Sequence, residues 1–131
     1  MKKTIKKMTW LASLMLSLGA VANPAYDSYR IAAKQENPAF KDFSVEAGRR
    51  LYTTRVSELM CTSCHTDSPM LQGQHVKTNK IISPMAPAAN PKRLTDAAKV
   101  EKWFKRDCND VLNRDCSAQE KGNFMAYLFS Q

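Results

Sequence analysis

Apolar residues recur at helical spacing in several segments of the chain. After Ser44, which can cap a helix, Val45, Gly48, Leu51 and Tyr52 fall on one helical face. Glycine inside a helix costs about 1 kcal/mol relative to alanine. We therefore expect a second helix to cross this one closely at Gly48.

Two further helices are predicted in the C-terminal part, and a shorter helical stretch is indicated near residues 26–35. Thr95 can cap the first, and Ser117 opens a capping box with Glu120 that starts the second. The apolar residues of these two helices are Ala98, Val100, Trp103 and Phe104 in the first, and Phe124, Tyr127 and Leu128 in the second.

The segment from Thr66 to Asn90 lacks this periodicity and contains Pro69, Gly73, Pro84 and Pro87. It is predicted to be a long loop. A bare loop of this length in a compact domain needs a partner surface, which a flat cofactor would supply. The residues just before the first cysteine read as helix, without an alternating strand pattern.

The first 22 residues have the three parts of a secretory signal: four lysines at positions 2, 3, 6 and 7, an apolar run over 8–18, and Ala20-Val21-Ala22. The apolar run is too short to span a membrane. We therefore predict a cleaved signal peptide over 1–22, export to the periplasm, an N-terminal arm over 23–43 and one domain over 44–131. The processed protein is not expected to span a membrane.

Composition narrows the range of possible functions further. The chain has 131 residues, 44% of them hydrophobic, and a formal net charge of +8, half of which comes from the four lysines of the leader. This length is enough for one compact domain. Beyond the leader no Lys/Arg cluster exceeds two residues, which argues against nucleic-acid binding.

The four cysteines form two unlike pairs. Cys61, Cys64 and His65 spell C-T-S-C-H, whereas Cys108 and Cys116 stand apart without a histidine. C-x-x-C-H is the attachment sequence of c-type haem, in which both thiols bond to the porphyrin and the histidine ligates iron. We therefore predict one covalent haem c, with His65 as the proximal ligand.

Three other interpretations of the cysteines fit less well. A thioredoxin-like redox pair would need a strand before Cys61. A four-cysteine zinc site would need a second close pair. A module with two disulfides would leave His65 unexplained and would close a strained four-residue ring.

The order of Gly48, Leu51 and Tyr52, then C-T-S-C-H, then Tyr127-Leu128 resembles that of small class I cytochromes c. Two longer segments, I-S-P-M-A-P-A-A-N-P-K-R-L-T-D-A-A-K-V-E-K-W-F and R-D-C-N-D-V-L-N-R-D-C-S-A-Q-E-K-G, resemble the sphaeroides haem protein family of oxygen-binding monohaem cytochromes c. The resemblance implies an all-α, class I cytochrome c-like fold around one covalent haem c. It also implies a disulfide between Cys108 and Cys116 across a distal loop.

The resemblance further implies a displaceable distal iron ligand. In that family an asparagine directly before the first cysteine of the later pair binds ferric iron and is released on reduction. Asp107 stands at this place here. Its rivals are Asn109, the next amide along the chain, and Met85, whose thioether would give a low-spin electron carrier.

The predicted function is a periplasmic monohaem cytochrome c that binds oxygen or another diatomic gas at ferrous haem and exchanges single electrons. One alternative is a His/Met electron-transfer cytochrome that uses Met85. Another is a small haem redox enzyme acting on oxygen, peroxide or nitric oxide, although we favour a carrier and gas-binding protein over a dedicated enzyme. The resemblance implies a dihaem cytochrome c and a membrane b-type cytochrome as partners.

Overall fold

The computed structural model describes residues 22–131. In chain order its elements are α1 (Pro24–Glu36), α2 (Val45–Thr53), α3 (Cys61–His65), β1 (Gly73–Gln74), β2 (Ile81–Ile82), α4 (Ala97–Leu112) and α5 (Ala118–Phe129). Apart from its last residue, the predicted signal peptide lies outside the described residues. Within the described part, every helix is too short or too polar to cross a bilayer.

Helices α2 and α5 cross at Gly48, as its position in the apolar pattern predicts. A Cβ atom at Gly48 would lie 2.8 Å from the Cβ of Tyr127, and closer still to the carbonyl oxygen of Asn123. The Asn123 side chain also accepts a hydrogen bond from the backbone N–H of Ser44, at 2.8 Å. The buried amide of α5 therefore holds the beginning of α2 at the crossing.

Helix α1 occupies most of the predicted N-terminal arm and packs on the same core. Ala25 and Tyr29 are buried in the main apolar cluster. The Tyr29 hydroxyl donates a 2.6 Å hydrogen bond to Glu101 of α4, and Lys121 of α5 donates to the other oxygen of that carboxylate at 2.7 Å. Three helices therefore meet at one carboxylate.

Helix α4 differs from its predicted limits at both ends. Asp96 caps it by accepting from the N–H of Lys99, so the prediction of Thr95 as the cap is wrong. The helix continues through Cys108 to Leu112, because Cys108 and Leu112 extend its buried face, and it ends at Asn113 in the left-handed conformation. The segment around Asp107 and Asn109 is therefore helical, which corrects the expected distal loop.

Two other local predictions need correction. Helix α2 ends at Thr53, and the residues from 54 to 60 are not helical, so the prediction of helix directly before Cys61 is wrong. The segment from Thr66 to Asn90 is not a bare loop, because β1 and β2 pair antiparallel within it, with Gly73 opposite Ile82 and Gln74 opposite Ile81. This hairpin is the only pairing of strands among residues 22–131.

Candidate haem site

The C-T-S-C-H motif forms the short helix α3. Cys61 and Cys64 lie one helical turn apart, and both are free thiols with partly buried side chains. The N-terminus of the helix is closed by Ser63, whose hydroxyl accepts a hydrogen bond from the backbone N–H of Met60 at 3.1 Å. The two thiols and the adjacent His65 are therefore presented from one compact turn.

A buried tyrosine fixes the end of this turn. The chain leaves α3 through Thr66, which has a positive φ of 63°. The hydroxyl of Tyr52, which is fully buried in α2, donates to the carbonyl oxygens of His65 at 3.1 Å and Thr66 at 2.7 Å. These bonds tie the backbone of the candidate iron ligand to the α2–α5 core.

The hairpin lies directly behind α3. A Cβ atom at Gly73 would come within 3.0 Å of the Cα of His65, and would clash with the carbonyl oxygen of Cys64. Glycine is required here because any larger side chain would push β1 away from the haem motif. The backbone of the hairpin therefore rests against the backbone of Cys64 and His65.

The segment that carries Met85 is folded back onto the loop after α3. The carbonyl oxygen of the buried Pro69 accepts hydrogen bonds from the N–H groups of Met85 and Ala86, at 2.9 and 3.0 Å. Arg93 donates to the carbonyl oxygens of Ser83 at 2.8 Å and Pro84 at 3.1 Å. Met85 is partly buried and packs against the main core.

Helix α4 contributes a third side of the site. Trp103 and Val111 are partly buried against the core, and Asp107 lies between them, one turn from each. The guanidinium of Arg93 stacks 4.9 Å from the centre of the Trp103 ring, which joins the Met85 segment to α4. The carboxylate of Asp107 is about half exposed and accepts a 2.7 Å hydrogen bond from Arg106.

The two rival residues of α4 have different surroundings. The Asn109 side chain is exposed and donates hydrogen bonds to the carbonyl oxygen of Lys105 and the carboxylate of Asp115, at 2.7 and 2.8 Å. Asp107 is close enough to α3 for its charge to act on the thiol of Cys61 and the ring of His65. Of the two, Asp107 is partly buried and Asn109 is exposed.

Burial dominates the electrostatics of the motif. It raises the pKa of the Cys61 thiol to about 12, with a further contribution from the negative charge of Asp107. It lowers the pKa of His65, and the positive charge of Arg93 acts in the same direction. His65 is therefore neutral near pH 7, and the neutral imidazole is the form that binds a metal.

Comparison with known proteins identifies the family. A family model described as a domain of unknown function, DUF1924, matches residues 38–128. The chain belongs to this family.

Two relatives of this chain are cytochromes. It is 41% identical over 110 residues to cytochrome c'' of Methylophilus methylotrophus, covering 84% of this chain and 70% of the relative. It is 38% identical over 107 residues to the cytochrome c-type protein SHP of Cereibacter sphaeroides, covering 78% of this chain and 82% of the relative. The predicted membership of the sphaeroides haem protein family is confirmed.

Solved structures of the same two proteins share the fold. Oxidised cytochrome c'' from Methylophilus methylotrophus superposes with a TM-score of 0.74 at 38% identity, covering 82% of this chain and 91% of the other. Oxidised SHP superposes with a TM-score of 0.71 at 37% identity, covering 82% and 94%. The all-α, class I cytochrome c-like fold is confirmed, and the chain is a monohaem cytochrome with one haem c.

The residues of the site fit this cofactor. Cys108 and Cys116 are joined in a disulfide with Cα atoms 5.8 Å apart, so the thiols of Cys61 and Cys64 are the pair left for attachment. This division of the cysteines disfavours a zinc site built from all four. The partly buried apolar side chains that pack with Cys61 against the main core offer apolar surface to a porphyrin, and they include Leu51, Met85, Trp103 and Val111.

Two supporting residues of the site were not identified from the sequence as parts of it. The helical pattern identified Tyr52 only as a core residue, although its hydroxyl binds the backbone after α3. Gly73 counted only as a loop residue, although its backbone meets that of Cys64. Each acts through a contact between segments far apart in the chain, and no local spacing signals such a contact.

Proposed function

We propose that the protein is a periplasmic cytochrome that binds dioxygen or another diatomic gas at ferrous haem and exchanges single electrons with partner proteins. In this proposal Cys61 and Cys64 hold the haem and His65 is its proximal ligand. Asp107 is the distal ligand in the ferric state and is displaced on reduction. Bound haem would supply a one-electron couple and an iron coordination position for the gas.

The observation that carries the proposal is the position of Asp107. It lies on α4 between the partly buried Trp103 and Val111, and its charge acts on Cys61 and His65. Its carboxylate makes no buried ion pair that would have to be broken, because its partner Arg106 is itself largely exposed. A carboxylate oxygen binds hard ferric iron well and softer ferrous iron poorly. Reduction would therefore weaken the bond between Asp107 and the iron.

Two of the similar structures support a displaceable ligand. The solved SHP structure is of a protein described as an oxygen-binding cytochrome c, and a solution structure of cytochrome c'' addresses haem-ligand detachment. The predicted signal peptide over residues 1–22 supports a periplasmic location. A dihaem cytochrome c and a membrane b-type cytochrome are the partners that the family resemblance supports.

A second candidate function rests on Met85. Its side chain is partly buried against the main core, and its backbone is held by Pro69. A thioether ligand remains bound in both oxidation states and raises the reduction potential. With Met85 as the ligand, the protein would be a low-spin electron carrier without a position for a gas.

Optical and electron paramagnetic resonance spectra of the ferric protein test the proposal through three variants. Asp107→Ala is expected to replace the protein ligand by water. Because carboxylate and water are both weak-field ligands, the ferric haem should be high-spin with either one, and the positions of its optical bands and of its resonance signal should change. Asn109→Ala, two residues away on the same helix, is the matched control and should leave the spectrum unchanged. If Met85→Ala is the variant that changes the ferric spectrum and Asp107→Ala does not, the electron carrier is the correct function.

A further inference from the structure

The hairpin carries an unusual concentration of exposed apolar side chains. Four of the eight large hydrophobic residues that the described part exposes lie between positions 70 and 81. Leu71 and Ile81 are 58% and 62% exposed. We call this surface the hairpin face, and it consists of Met70, Leu71, Val76, Lys77, Lys80 and Ile81.

The side chains of the hairpin divide between its two sides. Gly73 and Ile82 are paired and lie on the side toward α3, where Gly73 meets the backbone of Cys64. Gln74 and Ile81 form the next pair, and both are exposed. Because side chains alternate along a strand, Ile81 points outward, and its apolar side chain is exposed to solvent.

The charged side chains of the segment that carries this face have one sign. From residue 68 to 95 the sequence contains Lys77, Lys80, Lys92 and Arg93 and no aspartate or glutamate. Among the described residues, each of the seven ion pairs joins side chains outside this segment. Lys77 and Lys80 are exposed and therefore contribute positive potential at this face.

The hairpin face also lies close to the candidate haem attachment. Its backbone rests on Cys64 and His65 through Gly73, so the thickness of one strand separates the outer surface from α3. A molecule seated on this face would be held next to the residues that we assign to the haem. Proximity of this kind favours a redox partner over a partner with no need to approach the cofactor.

A lipid surface is a weaker match for the same features. The segment from 68 to 95 contains no Trp, Tyr or Phe, which are the residues that anchor proteins at membrane interfaces. Two exposed lysines on the face also supply little attraction to anionic lipid, at about 1 kcal/mol each. An apolar patch with a basic rim is better matched by a protein surface that has an apolar centre and a carboxylate rim.

We propose that the hairpin face is the docking surface for an electron-transfer protein with an acidic surface. Lys77 and Lys80 steer the partner, and Leu71 and Ile81 make the apolar contact. This inference rests on the electron-exchange part of the proposed function and is independent of which residue is the distal ligand. Gas binding to the ferrous protein therefore tests the proposed distal ligand, whereas docking of a partner tests the role of the hairpin face.

The experiment uses the haem-loaded protein and an acidic flavodoxin as a probe partner. Electron transfer from reduced flavodoxin to the ferric protein is followed by stopped flow at several salt concentrations. Lys77→Glu with Lys80→Glu should lower the second-order rate constant roughly tenfold at low salt and weaken its salt dependence. The control is Lys102→Glu with Lys105→Glu, which changes the net charge equally on exposed positions of α4 and should alter the rate less than about twofold.

A binding readout without electron transfer completes the test. Titration with oxidised flavodoxin should shift the amide resonances of residues 70–82, and Leu71→Ser with Ile81→Ser should abolish these shifts without a change in charge. The proposal would be overturned if the Lys77/Lys80 and Lys102/Lys105 substitutions lowered the rate constant equally. It would also be overturned if the amide shifts were confined to other surfaces of the protein. Binding to phosphatidylglycerol vesicles through the same residues, without binding to flavodoxin, would overturn it in favour of a lipid surface.

Discussion

The hydroxyl of Tyr52 donates a hydrogen bond to the carbonyl oxygen of Thr66, at 2.7 Å, and a longer one to that of His65. A helix end is normally left with unpaired carbonyl groups. Here they are satisfied by a side chain from the core helix α2, thirteen and fourteen residues earlier in the chain. The orientation of the haem motif is therefore coupled to the crossing of α2 and α5.

Tyr52→Phe should lower the free energy of unfolding by about 1–2 kcal/mol, since it leaves two carbonyl groups unpaired and removes little apolar surface. Urea unfolding of the holoprotein measures this loss. Tyr127→Phe is the control, because its ring lies 5.5 Å from that of Tyr52 in the same cluster. An equal loss in both variants would show that the hydroxyl of Tyr52 has no special role.

Gly48→Ala should destabilise the protein by about 2 kcal/mol or more. The methyl group gains about 1 kcal/mol of helix propensity, but it meets the backbone carbonyl of Asn123, which cannot move without separating α2 from α5. Gly122→Ala is the comparison, since its methyl group meets the partly buried ring of Phe43, a side chain that can rotate away. Urea unfolding should show the larger loss for Gly48→Ala. The reverse order would contradict the close crossing at Gly48.

The two cysteine pairs should respond differently to substitution. Cys61→Ala with Cys64→Ala should leave haem that acid acetone extracts completely, and a chain that circular dichroism shows to be largely unfolded.

Cys108→Ser with Cys116→Ser should retain covalent haem. It should lose roughly 2–3 kcal/mol of stability, because the ring that the disulfide closes is short. Mass spectrometry of the native protein should show a gain of two hydrogens on reduction. A well-folded, haem-free first variant would show that the haem is not structural.

Stability should depend on pH through Glu120. Two hydrogen bonds from Arg114, at 2.6 and 2.8 Å, hold the pKa of this carboxyl below its usual range. The contribution of the ionised Glu120 to the free energy of unfolding is therefore present above the unfolded-state pKa of about 4.3. It is lost as the pH falls toward the lower folded-state pKa. Arg114→Gln should cost about 0.5–1 kcal/mol at pH 6 and much less at pH 3.

The matched control for this titration is Arg55→Gln. Arg55 donates to a backbone carbonyl, that of Glu58, so its removal should cost the same at both pH values. Urea unfolding at pH 6 and pH 3 measures both differences. A cost for Arg114→Gln that does not fall with pH would contradict the assigned ion pair.

Helices with strong local signals could be predicted from the sequence, and the ends of α4 show where those signals fail. The caps at Ser44 and Ser117 were correct because each hydroxyl has a free backbone N–H three residues on. Thr95 and Asp96 are both good caps, and local preference alone does not choose between them. The last turns of α4 were missed because Cys108 was considered only as a partner for Cys116, although it also continues the apolar face.

The candidate site could be predicted in part. C-T-S-C-H is a contiguous motif, so Cys61, Cys64 and His65 could be predicted as haem residues without the fold. The position of Asp107 between Trp103 and Val111 depends on α4 extending past it, since these three residues share a face only in a continuous helix. The β1–β2 pairing has two residues per strand, which is too short for an alternating pattern, and Gly73 matters only because Cys64 lies behind it.

Carbon monoxide titration of the reduced wild-type protein tests the central claim most directly. A distal group that leaves iron on reduction should allow one carbon monoxide to bind per haem at neutral pH, with the protein folded throughout and a clear change in the visible spectrum. A permanent ligand such as Met85 would keep the ferrous protein six-coordinate. A reduced spectrum that stays low-spin and does not change under saturating carbon monoxide would contradict the displaceable ligand.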